Sequence, residues 1–231
     1  MSFCCDAESQ FGPKVAERDL RRYRRRGADA VTKLMLAQLR RWPLQNKQLL
    51  NIGGGIGVIS AELATDAIAS ATLVEASPAY LEVARRELQS CYGSRSTQFL
   101  LADFARIADT LPDADVITLD RVVCCYPDAE GLLRGAAART RQLLAFSYPR
   151  DRWYMRMITA FQNFLRRIRG NVFRTFVHPT QQMSGVLERA GLVRAATHGT
   201  LVWVVDLYCR VGDSTDTLDA GDGRHIGKIS T

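Results

Sequence analysis

The chain has no run of about 18 apolar residues, so the sequence predicts no transmembrane helix. Its first ten residues, with Asp6 and Glu8, lack the basic start and apolar stretch of a secretory leader. These two absences make a soluble cytoplasmic protein the expectation. No C-x-x-C pair occurs among Cys4, Cys5, Cys91, Cys124, Cys125 and Cys209, so zinc-site spacing is missing and no metal is expected. The even cysteine count invites disulfides, but the length and the missing leader oppose them, and free thiols are expected. Lysine contributes little to the net charge of +7, which is carried almost entirely by arginine. Much of it lies in Arg18 to Arg26 and Arg166 to Arg169. Such a balance suits nucleic acid, anionic lipid or an acidic substrate, or simply a solvated helix face.

What is present is an alternation of short apolar runs and helical patterns. Residues 1–45 read as a helical extension, with Leu20, Val31, Leu34, Met35 and Leu39 as an interrupted stripe and Pro43 as its stop. Strands are predicted at 48–52, 72–75, 98–102, 116–119 and 143–146. Helices are predicted from about Val58, from Pro78 as a first-turn proline, and from about Ala129. A long helix is predicted over 153–169, and another runs through 183–190 to a stop at Gly191. Two last strands, near 193–197 and 201–208, read as a hairpin turning at His198-Gly199. The tail 212–231, rich in Asp, Gly, Ser and Thr, reads as disordered. The pattern predicts one α/β domain over 46–211: a Rossmann-like, seven-stranded, mostly parallel sheet with helices on both faces and a C-terminal antiparallel hairpin. Sheets of this kind bind ligands beyond the carboxyl ends of their strands.

Residues of the right chemistry stand at those ends. After the first strand comes Asn51-Ile52-Gly53-Gly54-Gly55-Ile56-Gly57, a G-x-G-x-G match at Gly53, Gly55 and Gly57. Such a turn lets backbone approach a ligand without an intervening Cβ. The dinucleotide pattern would place its last glycine at Val58, which argues against a nicotinamide dehydrogenase. Glu75 ends the second strand about 20 residues on, the spacing of a ribose-binding carboxylate. Asp103 and Phe104 follow the third strand, an acceptor for an amino group beside an apolar surface; an N-cap aspartate is the plainer reading. Asp120, Arg121 and the stretch to Tyr126 follow the fourth.

In this order, from Gln48 to Arg210, the chain resembles the class I S-adenosylmethionine (SAM)-dependent methyltransferases. The resemblance implies SAM as cofactor, held by Asn51, Gly53, Gly55, Gly57, Glu75, Ala76, Asp103, Phe104, Asp120 and Arg121. The Tyr126-Pro127-Asp128 ending and the long late helix look most like magnesium-protoporphyrin O-methyltransferases and related small-molecule enzymes. One departure is Asn51, where the family usually carries Asp or Glu; an amide keeps an acceptor oxygen but loses the charge.

The expected activity is methyl transfer to a small-molecule acceptor, with O-methylation of an apolar, aromatic or porphyrin-like compound ahead of N- or C-methylation. A hydroxyl or amine acceptor benefits from a base, for which Asp120, Tyr126 and His178 are the candidates, with Tyr148 and Tyr23 after them; a carboxylate or thiolate needs only positioning. His178 also reads as a helix cap or surface residue, and Tyr126 as packing. The 153–169 stripe of Tyr154, Met157, Ile158, Phe161, Phe164, Leu165 and Ile168 reads as core-facing, or as a lid whose arginines meet an acidic group or anionic lipid. A nucleic-acid methyltransferase is the rival favoured by arginine content. Against it, the fourth strand lacks both an Asn/Asp-Pro-Pro-aromatic turn and a Pro-Cys nucleophile. A cysteine-using thiol or metalloid methyltransferase and a non-catalytic SAM-binding protein are further alternatives.

Overall fold

The computed structural model describes residues 10–93 and 95–211. Cys4, Cys5 and the tail 212–231 lie outside the described residues. The strands are β1 (Gln48–Ile52), β2 (Ser70–Glu75), β3 (Ser96–Leu101), β4 (Ala114–Leu119), β5 (Thr140–Pro149), β6 (Leu192–Gly199) and β7 (Trp203–Arg210). They form one sheet in the order β3-β2-β1-β4-β5-β7-β6, parallel except for β7, which runs antiparallel to both its neighbours. The order reverses between β1 and β4, so the tips of those two strands flank the crevice where such sheets bind ligands.

The extension is two helices: α1 (Pro13–Arg26) and α2 (Ala30–Leu39). Gly27 (φ +70°) ends α1, and the Asp29 carboxylate caps α2 by accepting from the amides of Val31 and Thr32. A cap of this kind stabilises by about 1 kcal/mol. Within the domain follow α3 (Val58–Ala64), α4 (Pro78–Tyr92), the single turn α5 (Phe104–Ile107), α6 (Ala129–Arg139), α7 (Trp153–Ile168) and α8 (Thr180–Arg189). Pro78 occupies the first turn of α4, with Ser77 as N-cap.

Both faces of the sheet are covered, which is why its central strands read as near-continuous apolar runs rather than alternating ones. One core gathers Ile52, Ile117, Leu119, Phe146 and Tyr208 against α6 and α8. The other gathers Leu49, Leu73, Val116 and Ala145 against α2, α3 and α4. Helix α2, with Met35 and Leu39 fully buried, is thus part of the core.

Two expectations are corrected. The hairpin turns at Thr200–Val202, with His198 and Gly199 still in β6; the Thr200 hydroxyl accepts from the amides of Val202 and Trp203 and closes the turn there. The α7 stripe does not face the core: Met155 and Thr159 are its buried residues, while Met157, Ile158, Phe161, Phe164 and Ile168 are exposed.

Candidate functional site at the strand tips

The glycine turn is built on left-handed backbone. Gly53, Gly55 and Gly57 have φ of +58°, +56° and +85°. A Cβ at Gly53 would also stand 2.5 Å from Val122 Cγ2, whereas one at Gly55 would meet nothing nearer than Tyr80 at 3.6 Å. Gly53 is therefore required by both conformation and space, and Gly55 by conformation. Above the turn, that leaves open backbone facing a cavity.

Glu75 lies at the β2 tip, buried, accepting from the amides of Gly55 (2.9 Å) and Ser77 (2.8 Å). Burial raises its pKa above the ordinary carboxylate range, and the amide donors of Ser77, Gly55 and Ala76 pull it back. Its carboxylate bridges the glycine turn and the start of α4, and it still lines the cavity with Ala76.

Asn51 is buried and held on both ends. Its amide nitrogen donates to Ser60 Oγ (3.0 Å), and its oxygen accepts from Thr118 Oγ1 (3.1 Å), its neighbour in the β1–β4 register. An asparagine both donates and accepts here, which a carboxylate cannot do.

At the β3 tip, Asp103 caps α5 through the Ala105 amide and accepts from the Tyr126 hydroxyl (2.8 Å). Phe104 packs into the core beneath the cavity it lines. Burial and Asp103 push the Tyr126 phenol far above its usual range, so it is neutral and donating at physiological pH.

The β4 tip carries the densest network. Asp120 accepts from Thr32 Oγ1 (2.6 Å), Ser147 Oγ (2.6 Å) and Arg121 (3.2 Å). Arg121, a non-glycine residue at φ +60°, donates its amide to Ser147 Oγ (2.7 Å) and pairs with Asp29 (2.7 Å). Left-handed backbone costs a side-chain-bearing residue about 1–2 kcal/mol, which these contacts offset. Asp29, Thr32 and Ser147 are not among the site residues read from the sequence. Asp29 had a signal as a cap ahead of an apolar run; Ser147, inside a buried strand, had none.

Two connected lobes open above these tips. A smaller one of about 160 Å³ lies between α1–α2 and the turn, and one of about 390 Å³ lies over Glu75, Ala76, Val122 and Tyr126. They share Asp19, Gly53, Gly55, Tyr80, Asp120 and Arg121. The larger lobe is within the range of small-molecule sites. It extends to Cys124, Cys125, Arg166, Phe173, Thr175 and Trp203. Phe11 roofs it, edge-on to Tyr80 (5.5 Å) and Phe173 (5.3 Å), with its carbonyl accepting from Ser77 Oγ (2.7 Å). Arg166 donates to Asn163 and Thr175, and no carboxylate pairs with it among the described residues.

His178 is not brought to this cavity. Its Nε2 sits 2.9 Å from the Tyr126 carbonyl, and it lines a separate hollow with Pro127, Asp128 and Gln182. Burial lowers its pKa, so the ring is neutral. Cys124 and Cys125 are free thiols 3.9 Å apart in a short helical turn. The Cys124 contact and burial push the Cys125 thiol well up. Among the described residues, no cluster of His, Cys, Asp and Glu is arranged to hold a metal, and no helix is long and apolar enough to cross a membrane.

Comparison with known proteins agrees with the geometry. Residues 50–142 match a methyltransferase domain family. No functionally curated protein is detectably similar in sequence. Among solved structures, magnesium protoporphyrin IX methyltransferase from Synechocystis with bound SAH superposes at TM-score 0.62 and 19% identity, covering 78% of this chain and 81% of that one. An O-methyltransferase family protein from Burkholderia thailandensis gives 0.66 at 16% identity over 88% and 62%. A putative methyltransferase complexed with the Trm112 activator, from Haloferax volcanii, gives 0.57 at 14% over 78% and 87%. A methyltransferase-domain family model thus matches β1 to the start of β5, and the seven-stranded sheet with its antiparallel β7 has the fold of the class I SAM-dependent methyltransferases.

Proposed function

We propose that the chain transfers a methyl group from SAM to a small-molecule acceptor, by O-methylation of an apolar or aromatic, porphyrin-like compound whose reacting group is a carboxylate. The observation that carries this reading is the shape of the site: a lobe over a glycine turn and an acidic strand tip runs into an apolar chamber holding an arginine without a carboxylate partner.

The residues fit the cofactor. Backbone at Gly53 and Gly55 leaves room for close approach, and a Cβ at either would strain the turn. Glu75 offers carboxylate acceptor capacity to hydroxyl donors, and Ala76 and Val122 give apolar walls for a planar base. Tyr126, which lines that lobe, donates to Asp103 behind it. When bound, SAM supplies a methyl already activated on a sulfonium.

What the chain must add is alignment and exclusion of water. Phe11 and Phe173 roof the chamber. A free base is harder to find: the Tyr126 phenol is neutral and donating, His178 faces elsewhere, and Asp120 accepts from three neighbours. An acceptor carboxylate is already anionic and yields an ester without a proton to remove, and Arg166 is placed to orient it.

Calorimetry with SAM and its demethylated product tests the cofactor site. A screen of aromatic and porphyrin carboxylates, phenols and amines then reads mass gain of one methyl. The expected product is an ester cleaved by mild alkali; methylation of phenols or amines alone would overturn the carboxylate assignment. A second reading, a SAM-binding protein without turnover, draws on Asn51, whose amide is committed to Ser60 and Thr118. SAM binding with no methylated product across the screen would favour it.

A further inference from the structure

The outward face of α7 has no partner within the described residues. Trp153, Met157, Phe161, Phe164 and Ile168 recur at helical spacing within an arc of about 80°, opposite the buried Met155 and Thr159. Trp153 is 78% exposed, Phe161 60% and Phe164 57%. The Tyr154 hydroxyl donates to the Leu201 carbonyl (2.9 Å), which sets the tip of the β6–β7 hairpin beside the start of the helix, and Leu201 is 86% exposed. Side chains this exposed stand out from the surface as a ridge, not as the wall of a groove.

The charge along this ridge is predominantly positive. From Arg152 to Leu187 the sequence holds six arginines and no Asp or Glu. Arg156 pairs with Asp151 at the helix entry, while Arg152, Arg167 and Arg169 have no ion pair among the described residues. On the helix, Arg156 and Arg167 flank one side of the apolar arc, and Arg169 follows its end near the other.

We propose that α7 and the β6–β7 hairpin tip dock on an anionic lipid bilayer, with the apolar arc in the acyl boundary and the arginines at the headgroups. This is the chemistry of an interfacial amphipathic helix: aromatic and aliphatic side chains on one face and cations beside it, with Asp151 at its entry paired to Arg156. Pairing with a second copy of the chain fits less well, because a two-fold contact would bring two arginine-rich ridges of net positive charge together. The docking assignment is independent of the methyl-transfer reading. If the acceptor is apolar, as proposed above, the orientation would set the Arg166 chamber on the inner side of α7 next to the lipid.

The test uses the full chain and vesicles of phosphatidylglycerol with phosphatidylcholine, against phosphatidylcholine alone, read by co-sedimentation and Trp153 emission. The expected result is partition to the anionic vesicles, weakened by salt, with a blue shift that Trp153→Phe removes. Phe161→Glu/Phe164→Glu, at exposed positions, is expected to lower partition more than about tenfold. Arg167→Gln and Arg169→Gln are each expected to lower it about fivefold at low salt. All variants should bind SAM like the parent by calorimetry, which keeps a docking failure distinct from a cofactor-site failure. Lack of partition, or equal binding to both vesicle types, would overturn the proposal. So would a dimer in sedimentation that Phe161→Glu/Phe164→Glu dissolves, since the ridge would then be a protein interface.

Discussion

Gly53 offers a quantitative test of how the site is built. Its φ of +58° is costly for any side chain, and a Cβ there would lie 2.5 Å from Val122 Cγ2 and 3.2 Å from Cγ1. Gly53→Ala is expected to cost about 1–2 kcal/mol for the left-handed backbone and about 1–3 kcal/mol for the collision. Val122→Ala alone loses two methyl groups from a buried position, roughly 1.5 kcal/mol. In the double variant the collision is gone and the backbone cost remains, so the two changes should couple favourably by about 1–3 kcal/mol. Gly55→Ala is the control: it shares the positive φ but has its nearest neighbour at 3.6 Å, so only the backbone cost of about 1–2 kcal/mol is expected. Urea unfolding followed by circular dichroism, with linear extrapolation, measures all four variants. Additivity of Gly53→Ala and Val122→Ala within about 0.5 kcal/mol would refute the steric account. Equal cost at Gly53 and Gly55 would do the same.

Further outcomes follow from the neighbouring residues. Because burial raises the Glu75 pKa, the ligand-free fold holds that proton more tightly than the unfolded chain; the group's stabilisation is full below the unfolded-state value and fades as pH rises through the folded one. With Glu75 accepting from ribose hydroxyls, as proposed, the carboxylate form is the binding form, so SAM affinity should fall as pH drops through the raised value, and Glu75→Gln should bind weakly with a flat pH profile. Parallel calorimetric profiles for the two proteins would be incompatible with that role. Ser147→Ala leaves an Asp120 oxygen and the Arg121 amide short of a partner and should cost about 1–3 kcal/mol in the same urea assay. Cys125, whose thiol is pushed up by Cys124 and burial, should alkylate more slowly at pH 8 than free cysteine; mass spectrometry after timed iodoacetamide checks this, and fast labelling would place a thiolate there.

The sheet was legible because its strands are buried on both faces, which leaves apolar runs bounded by glycine, proline and capping residues. Gly53 and Glu75 line the cavity at the strand tips where their spacing puts them, whereas Asp103 follows the plainer N-cap reading and does not line it. Strand ends were drawn short where polar residues continue the ladder, as at Ser70, Ser96 and Thr140. The β6–β7 turn was misplaced because Gly199 is a stronger local signal than a threonine hydroxyl. Periodicity located the α7 stripe but not what it faces, since burial depends on the neighbouring elements. Contacts between distant segments, such as Thr32 with Asp120 or Arg121 with Asp29, leave no mark on local pattern at all.

The roof formed by Phe11, Phe173 and their neighbours has a practical consequence. Those residues, with Arg166 and Trp203, lie before or after the 50–142 stretch that the family shares, whereas the glycine bend and Glu75 lie within it. On the proposed assignment, in which the turn and Glu75 hold SAM, selection for a new acceptor would rewrite the flanks while that cradle stays as it is. Grafting the flanking segments of one such enzyme onto the central strands of another is the economical route to exchanging what gets methylated.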